Sequence, residues 1–238
     1  MAEMAEISND EQITAHDYDR WLMQDSFMAR WMRFWLSPSR ILLFNTPVHR
    51  LPKQLSLKPT DKVLDIGCGY AGLLLYLLRK VGFTEVMEGL DCSAFMVEQA
   101  NAEVQARGAD RCIRVRQGLA TQLPYADGAF DEVFCTYVIK HLSDALLHEM
   151  LRETMRVLKP GGRLCVWEAG PARRNFMQVS NLWLLRHGVS VVHLRSDEEL
   201  RGILLQSGFN SIEPCGRGPY FYYPPLPRVG FIAARPVA

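Results

Sequence analysis

Three glycines and two aspartates carry the most informative spacing in the chain. Val63-Leu64-Asp65-Ile66 is an apolar run holding one carboxylate, and it leads directly into Gly67-Cys68-Gly69-Tyr70-Ala71-Gly72. The GxGxxG spacing, followed by the Leu-rich stretch 73–78, reads as a buried strand, a tight turn and a helix start. Glycine permits positive φ and close approach to a bound nucleotide, and the helix N-terminus behind it offers free N–H groups. That chemistry is the binding of an adenosine-containing cofactor. Asp91 stands nineteen residues beyond Gly72 (91 − 72), where a carboxylate takes both hydroxyls of a ribose. Asp65 selects among cofactors. At the end of the first strand it would repel a pyrophosphate, whereas an ammonium and a sulfonium would be favoured there. S-adenosylmethionine has that charge character and carries no phosphate.

The elements that must position these residues follow from the periodicity. Strands are expected at 62–67, 85–90, 112–117, 130–138 and 163–167, with helices at 72–81, 93–107 and 142–159 between them. Gly82 and Gly108 close the first two helices, and Lys159-Pro160-Gly161-Gly162 stops the third. Repeated β-α units predict parallel strands with right-handed crossovers and helices on both faces. Such sheets bind ligands at the carboxyl ends of their strands, beside the first strand. Ser196-Asp197-Glu198-Glu199 is a capping box opening a helix to Gly208, and final strands are expected at 212–215 and 228–234.

The two ends differ from this core. Trp21, Met28, Trp31, Met32 and Trp35 recur at helical spacing, so residues 1–52 read as a helical lid or cap on the domain 53–238. Pro47 and Pro52 mark the linker between them. An insertion at about 171–195 holds Phe176, Val179, Trp183 and Leu184 at helical spacing, and Tyr220–Tyr223 sit in a proline-rich loop. These aromatic segments either pack on the core or line an apolar pocket, and a lid does both.

Composition narrows the partners. The chain has 238 residues, 48% hydrophobic and 22% charged, with 27 basic against 26 acidic residues and a net charge of +1. That balance gives no long-range attraction to nucleic acid or to an anionic membrane. Arg111, Arg114 and Arg116 are too few to argue for RNA, and on a strand 114 and 116 read as a solvated face. The six cysteines form no CxxC pair, so neither a structural metal nor a disulfide framework is expected. No run is long and apolar enough for a spanning helix, and the acidic first twelve residues do not read as a signal peptide. A cytoplasmic setting is the expectation.

The chain resembles the class I S-adenosylmethionine-dependent methyltransferases, in the small-molecule branch that includes quinone-ring C-methyltransferases. Four blocks carry the resemblance in order: Val63–Gly69, Gly89–Ser93, Leu123–Asp131 and Arg156–Gly162. The fold expected is an α/β three-layer doubly wound sandwich. Its seven-stranded sheet would be mostly parallel, with an antiparallel last strand, under the N-terminal helical lid. The resemblance implies that Asp65, Gly67, Cys68 and Gly69 hold the methionine part of the cofactor, and Asp91 the ribose. It places Cys92 against the adenine, with Leu119 and Ala120 following the third strand and Cys135 in the fourth. The family commonly has an acidic residue where Leu119 stands, so Leu119 reads either as an adenine contact or as core. Tyr18 resembles a tyrosine near the methionine end, and it reads equally as packing.

Methyl transfer from a sulfonium is an in-line displacement, and much of its acceleration comes from positioning and desolvation. A base is needed only for a hydroxyl, protonated amine or acidic carbon. Tyr137 and His141, after the fourth strand, are the candidates for the pocket or the base, and His141 also reads as a plain helix-start residue. Glu168, His187 and His193 are further possibilities. Cys135-Thr136-Tyr137-Val138 stands where nucleobase N-methylating relatives carry an Asp/Asn-Pro-Pro-Tyr/Phe block, which argues against nucleobase amines as acceptors. The expectation is a methyltransferase for a small apolar or aromatic molecule. Two alternatives are a binding partner protein that holds the ligand without transfer, and a nicotinamide-dependent oxidoreductase.

Overall fold

The structure is a computed structural model, which describes residues 12–13, 16–17, 19–38, 49–171, 192–215 and 228–237. Tyr18, the helix expected at 172–187 with His187, and the Tyr220–Tyr223 loop lie outside these residues.

The β-α alternation becomes a doubly wound sheet. In chain order the described elements are α1 (Phe27–Leu36), α2 (Leu51–Gln54), β1 (Val63–Ile66), α3 (Gly72–Val81), β2 (Met87–Asp91), α4 (Ala94–Ala106) and β3 (Ile113–Gln117). They continue with β4 (Phe130–Thr136), a 3-10 turn (Ile139–His141), α5 (Asp144–Val157), β5 (Leu158–Ala169), α6 (Asp197–Gln206), β6 (Asn210–Pro214) and β7 (Arg228–Ala234). The seven strands lie in the order β3-β2-β1-β4-β5-β7-β6. The first five pair parallel, and β7 runs antiparallel to both β5 and β6. Chain direction across the sheet reverses between β1 and β4, so the topological switch point falls at the end of β1.

Every residue of β1 and β2 is buried, as expected of central parallel strands covered on both faces. Alternation divides the core in two. Leu64, Ile66, Val133, Cys135, Leu164 and Val166 face α5 and α6, while Val63, Phe134, Cys165 and Trp167 face α3 with its Leu74 and Leu77. Local sequence sets the helix ends. Ser93, Ser143 and Ser196 each accept a backbone N–H in the first turn of α4, α5 and α6, and Ser196 with Glu199 completes the capping box.

Two boundaries and one surface pairing differ from the sequence expectation. Lys159–Gly162 ends the helix but lies within β5, because Gly161 N–H donates to Arg235 O and Arg235 N–H to Gly162 O. Pro52 lies in the first turn of α2 and not in a linker, at a position where a helix needs no N–H donor. Arg114 and Arg116 share a face, as expected, but both pair with Glu88, at 3.0 and 3.2 Å.

Two resemblance blocks turn out to brace the fold. Arg156 donates to Leu123 O and Tyr125 O and pairs with Glu153 and Asp127, pinning the 123–127 segment to α5. Asp131 accepts the Lys62 N–H and pairs with Lys159 at 2.7 Å, which joins the start of β1 to β4 and β5.

Candidate cofactor and acceptor site

The glycine turn is built from alternating left-handed residues. Gly67, Gly69 and Ala71 have φ of 69°, 51° and 57°. Gly67 needs glycine twice over, since a Cβ there would also meet Val138 Cγ2 at 2.1 Å. Gly67 and Cys68 donate their N–H groups to Leu90 O, so the turn hangs on the end of β2. A Cβ on Gly69 would meet nothing within 4 Å, so the backbone there borders open space at the sheet's carboxyl edge.

Asp91 draws this edge together. Its Oδ2 accepts the Gly69 N–H at 2.8 Å and its Oδ1 the Ser93 N–H at 3.0 Å. Asp65 is 1% exposed, and its Oδ1 has no hydrogen-bond partner among the described residues. Burial, reinforced by the Asp91 charge, holds its carboxyl well above the usual carboxylate range. A buried, unsatisfied acceptor is costly unless a ligand completes it. The ammonium of an amino-acid-bearing cofactor supplies that donor and charge, and a pyrophosphate supplies neither. The residues therefore fit S-adenosylmethionine.

The other expected cofactor residues divide. Cys68 contributes its backbone to the turn, while its side chain is buried against the face of β2 and its thiol is pushed up by burial. Cys92 is half-exposed in the Asp91–Ser93 turn, and its carbonyl accepts from Gln117 Nε2 at 3.0 Å. Leu119 is half-buried and bridges to Gln122. Ala120 is buried in the α5-side core. Cys135 is fully buried in that same core, with Sγ 3.7 Å from Met150 Sδ. It follows the alternation of β4, in which 133 and 135 share a face away from Phe134.

Directly after β4 comes a strained residue. Tyr137 has φ of 61°, uncommon for a bulky non-glycine residue and typical of functional sites. Its N–H donates to Trp167 O, and its carbonyl accepts from Lys140 Nζ. The Arg228 guanidinium lies 5.2 Å and Lys140 Nζ 5.5 Å from the Tyr137 ring centre. Lys140 Nζ also pairs with Glu168 at 3.5 Å, and Glu168 accepts the N–H groups of Lys140 and Ala169. Burial pulls the Lys140 ammonium down, opposed by Glu168.

Burial, with the Lys140 charge beside it, holds His141 well below the ordinary histidine range, so its imidazole is neutral and a weak base. Glu168 is 1% exposed and committed to the Lys140 brace. His193 holds Lys140 O through its backbone N–H at 2.7 Å. Sequence reasoning missed Lys140, Arg195 and Arg228. Arg195 is 5% exposed, donates to Ile139 O and Leu142 O and pairs with Asp144, so it fixes the turn carrying His141. A buried basic residue outside any motif gives no signal in the sequence.

Among the described residues no group of three or more His, Cys, Asp or Glu could hold a metal ion, and no helix is long and apolar enough to cross a membrane.

A doubly wound sheet of this order, with a carboxylate at the end of β1 and another at the end of β2, defines a nucleotide-cofactor-binding α/β protein. Residues 63–162 match the family model described as a methyltransferase domain. The demethylmenaquinone methyltransferase of Lactobacillus johnsonii is 34% identical over 116 residues, covering 49% of this chain and 47% of that protein. The chloroplastic 2-phytyl-1,4-beta-naphthoquinone methyltransferase of Arabidopsis thaliana is 29% identical over 188 residues, covering 68% and 71%. The chain spans about half the length of the first of these relatives. Among solved structures the [4+2]-cyclase SpnF superposes with a TM-score of 0.64 at 20% identity, covering 82% of each chain, a likeness of fold alone. Residues 63–162 are thus similar to a methyltransferase domain, and the residues at the ends of β1 and β2 fit S-adenosylmethionine as its cofactor.

Proposed function

We propose that the protein transfers the methyl group of S-adenosylmethionine to a small apolar or aromatic acceptor of the quinone class. The observation that carries this reading is the buried Asp65 carboxyl at the end of β1, with an oxygen left for a cationic donor. The two relatives named for quinone substrates support the acceptor class. Bound, the cofactor supplies an electrophilic methyl group carried by a sulfonium. In this reading Asp65 and the Gly67–Gly69 backbone hold the methionine end, with Tyr18 near it. Asp91 takes the ribose hydroxyls, and Cys92 and Leu119 flank the adenine. Tyr137 and His141 stand on the acceptor side, where a neutral His141 orients the acceptor more readily than it removes a proton. Residues 1–52 serve as the cap of the domain 53–238, with the insertion at about 171–195 beside the acceptor. A small-molecule acceptor, with no nucleic-acid partner, belongs to the same reading. So does a cytoplasmic setting, which the six free thiols support.

The test is transfer of labelled methyl from S-adenosylmethionine to a panel of reduced naphthoquinones, benzoquinols and simple phenols. Label in the extracted organic product, at the mass of a single added methyl, is expected. Tight S-adenosyl binding with no transfer to any member favours the second reading, a protein that holds the cofactor without methyl transfer. That reading has two observations behind it: Leu119 in the place of an acid, and a fold shared with a protein named as a cyclase. The nicotinamide reading is disfavoured, because a carboxyl buried at the end of β1 would repel its pyrophosphate.

A further inference from the structure

The segment ahead of the domain is tied to the ribose-side turn by one carboxylate. Asp19 accepts a hydrogen bond from Ser93 Oγ through Oδ1, and from the Ala94 N–H through Oδ2 at 3.1 Å. Ser93 is the N-cap of α4. Its Oγ accepts the Met96 N–H at 2.9 Å while donating to Asp19, and its own N–H goes to Asp91. Asp19 and Asp91 therefore hold the same residue from opposite sides, one through the side chain and one through the backbone. Beside this contact Leu22 is fully buried on Tyr70 and Met96, with Trp21 and Phe95 packed around them. Tyr70 belongs to the glycine turn itself. Arg33 donates to Leu22 O and to Gln24 O, which ties α1 to the residues that dock. Phe27 and Phe34 of α1 stay 74% and 48% exposed.

We infer that Asp19 is a positioning residue that couples docking of the 19–36 segment to cofactor binding. The inference rests on the cofactor reading above. The reasoning is thermodynamic. A ribose taken by Asp91 would order the same Asp91–Ser93 turn that Asp19 holds. Each event therefore removes part of the ordering cost of the other, and the coupling is reciprocal. Hydrogen bonds that involve a charged group are strong enough to make such a coupling measurable. The small apolar contact at Leu22 gives the segment its place, and the Asp19 bonds make its docking depend on the turn.

The test is hydrogen exchange of the full chain, with and without S-adenosylhomocysteine, for the wild type, Asp19→Ala and Asp19→Asn, together with calorimetric affinities. In the wild type the ligand should slow exchange in peptides covering 19–36. In Asp19→Ala that ligand-dependent slowing should be lost and affinity should fall about tenfold, the loss of one such charged bond. Asp19→Asn, which keeps one acceptor, should fall between them. Exchange in the glycine turn should still respond to the ligand in all three proteins. Equal affinity and equal ligand-dependent protection in Asp19→Ala would overturn the inference while leaving the cofactor reading intact. So would a variant that is less stable without ligand yet keeps the full ligand response, because Asp19 would then be only structural. A wild type that binds no S-adenosyl compound would overturn the cofactor reading itself.

Discussion

Asp91 reaches from the end of β2 to the Gly69 N–H at 2.8 Å, so this strand-end carboxylate and the glycine turn form one hydrogen-bonded unit. The same carboxylate holds Ser93 N–H, so its removal leaves two backbone donors without their acceptor. Asp91→Ala should therefore lose more than a ribose contact. Affinity for S-adenosylhomocysteine is expected to fall at least tenfold, by about 1.5–3 kcal/mol. Hydrogen exchange at 67–72 should also quicken in the unliganded protein. Unchanged affinity by calorimetry would mean that Asp91 does not serve the ribose.

Asp65 has the opposite energetic character. Its folded-state pKa is raised by burial, so its contribution to stability is present below the unfolded carboxyl pKa near 4 and lost as pH rises through the folded value. Asp65→Asn removes that cost. The variant should be more stable than wild type at neutral pH, by about 1 kcal/mol or more, and should bind S-adenosylmethionine at least tenfold more weakly. Because the free carboxyl holds its proton and a cationic ligand favours its release, binding should release a proton at pH values below the raised pKa. Affinity should weaken as pH falls through that range. Calorimetry in buffers of different ionisation enthalpy reads this directly, and proton uptake would contradict it.

The two glycines of the turn should separate by substitution. Gly67→Ala places a Cβ 2.1 Å from Val138 Cγ2 at a φ of 69°, and it should destabilise the fold by about 2–3 kcal/mol. Gly69→Ala meets no neighbour and should cost only about 1 kcal/mol in backbone strain. Its Cβ enters the space beside the turn, so it should weaken cofactor binding more than stability. Thermal unfolding and calorimetry on both variants make the comparison.

Glu132 and Arg163 test the frame under the site. Glu132 is 3% exposed, and burial pushes its carboxyl up to about 7 although the Arg163 guanidinium opposes the shift. Arg163→Met leaves that carboxyl buried without its cation and should destabilise the protein by about 3–5 kcal/mol at neutral pH. The loss should shrink toward pH 5, where the carboxyl is protonated. A pH-independent loss in denaturant unfolding would mean that packing, not charge, holds this pair.

His141 gives the activity prediction. Held well below the ordinary histidine range, it should produce no inflection near pH 6.5 in the transfer rate. His141→Gln should keep the shape of the wild-type profile while lowering its height.

The sequence makes the sheet legible because its strands are short apolar runs separated by amphipathic helices with serine caps. Gly72–Val81 and Arg228–Ala234 fall where periodicity puts them. Strand and helix ends near Lys159–Gly162 are less legible, because the pairing with Arg235 that extends β5 is a long-range contact. Asp65 and Asp91 are readable as carboxylates near strand ends, because each closes a short apolar run, and the structure places them in β1 and at the end of β2. The acceptor side is not readable in the same way. Tyr137 bends into the left-handed region under a brace of Lys140 and Glu168, two residues separated by 28 positions (168 − 140). The place of Cys135 in a motif-rich strand likewise says nothing of which face its thiol takes, and the structure puts it in the α5-side core.

The central claim is that Asp65 and the glycine turn hold a phosphate-free, cationic adenosine cofactor. Calorimetric titration of the full chain with S-adenosylmethionine, S-adenosylhomocysteine and NAD tests it most directly. One-to-one binding of both S-adenosyl compounds, lost in Asp65→Asn, with no heat from NAD, is the predicted result. Binding of NAD without binding of either S-adenosyl compound would contradict it.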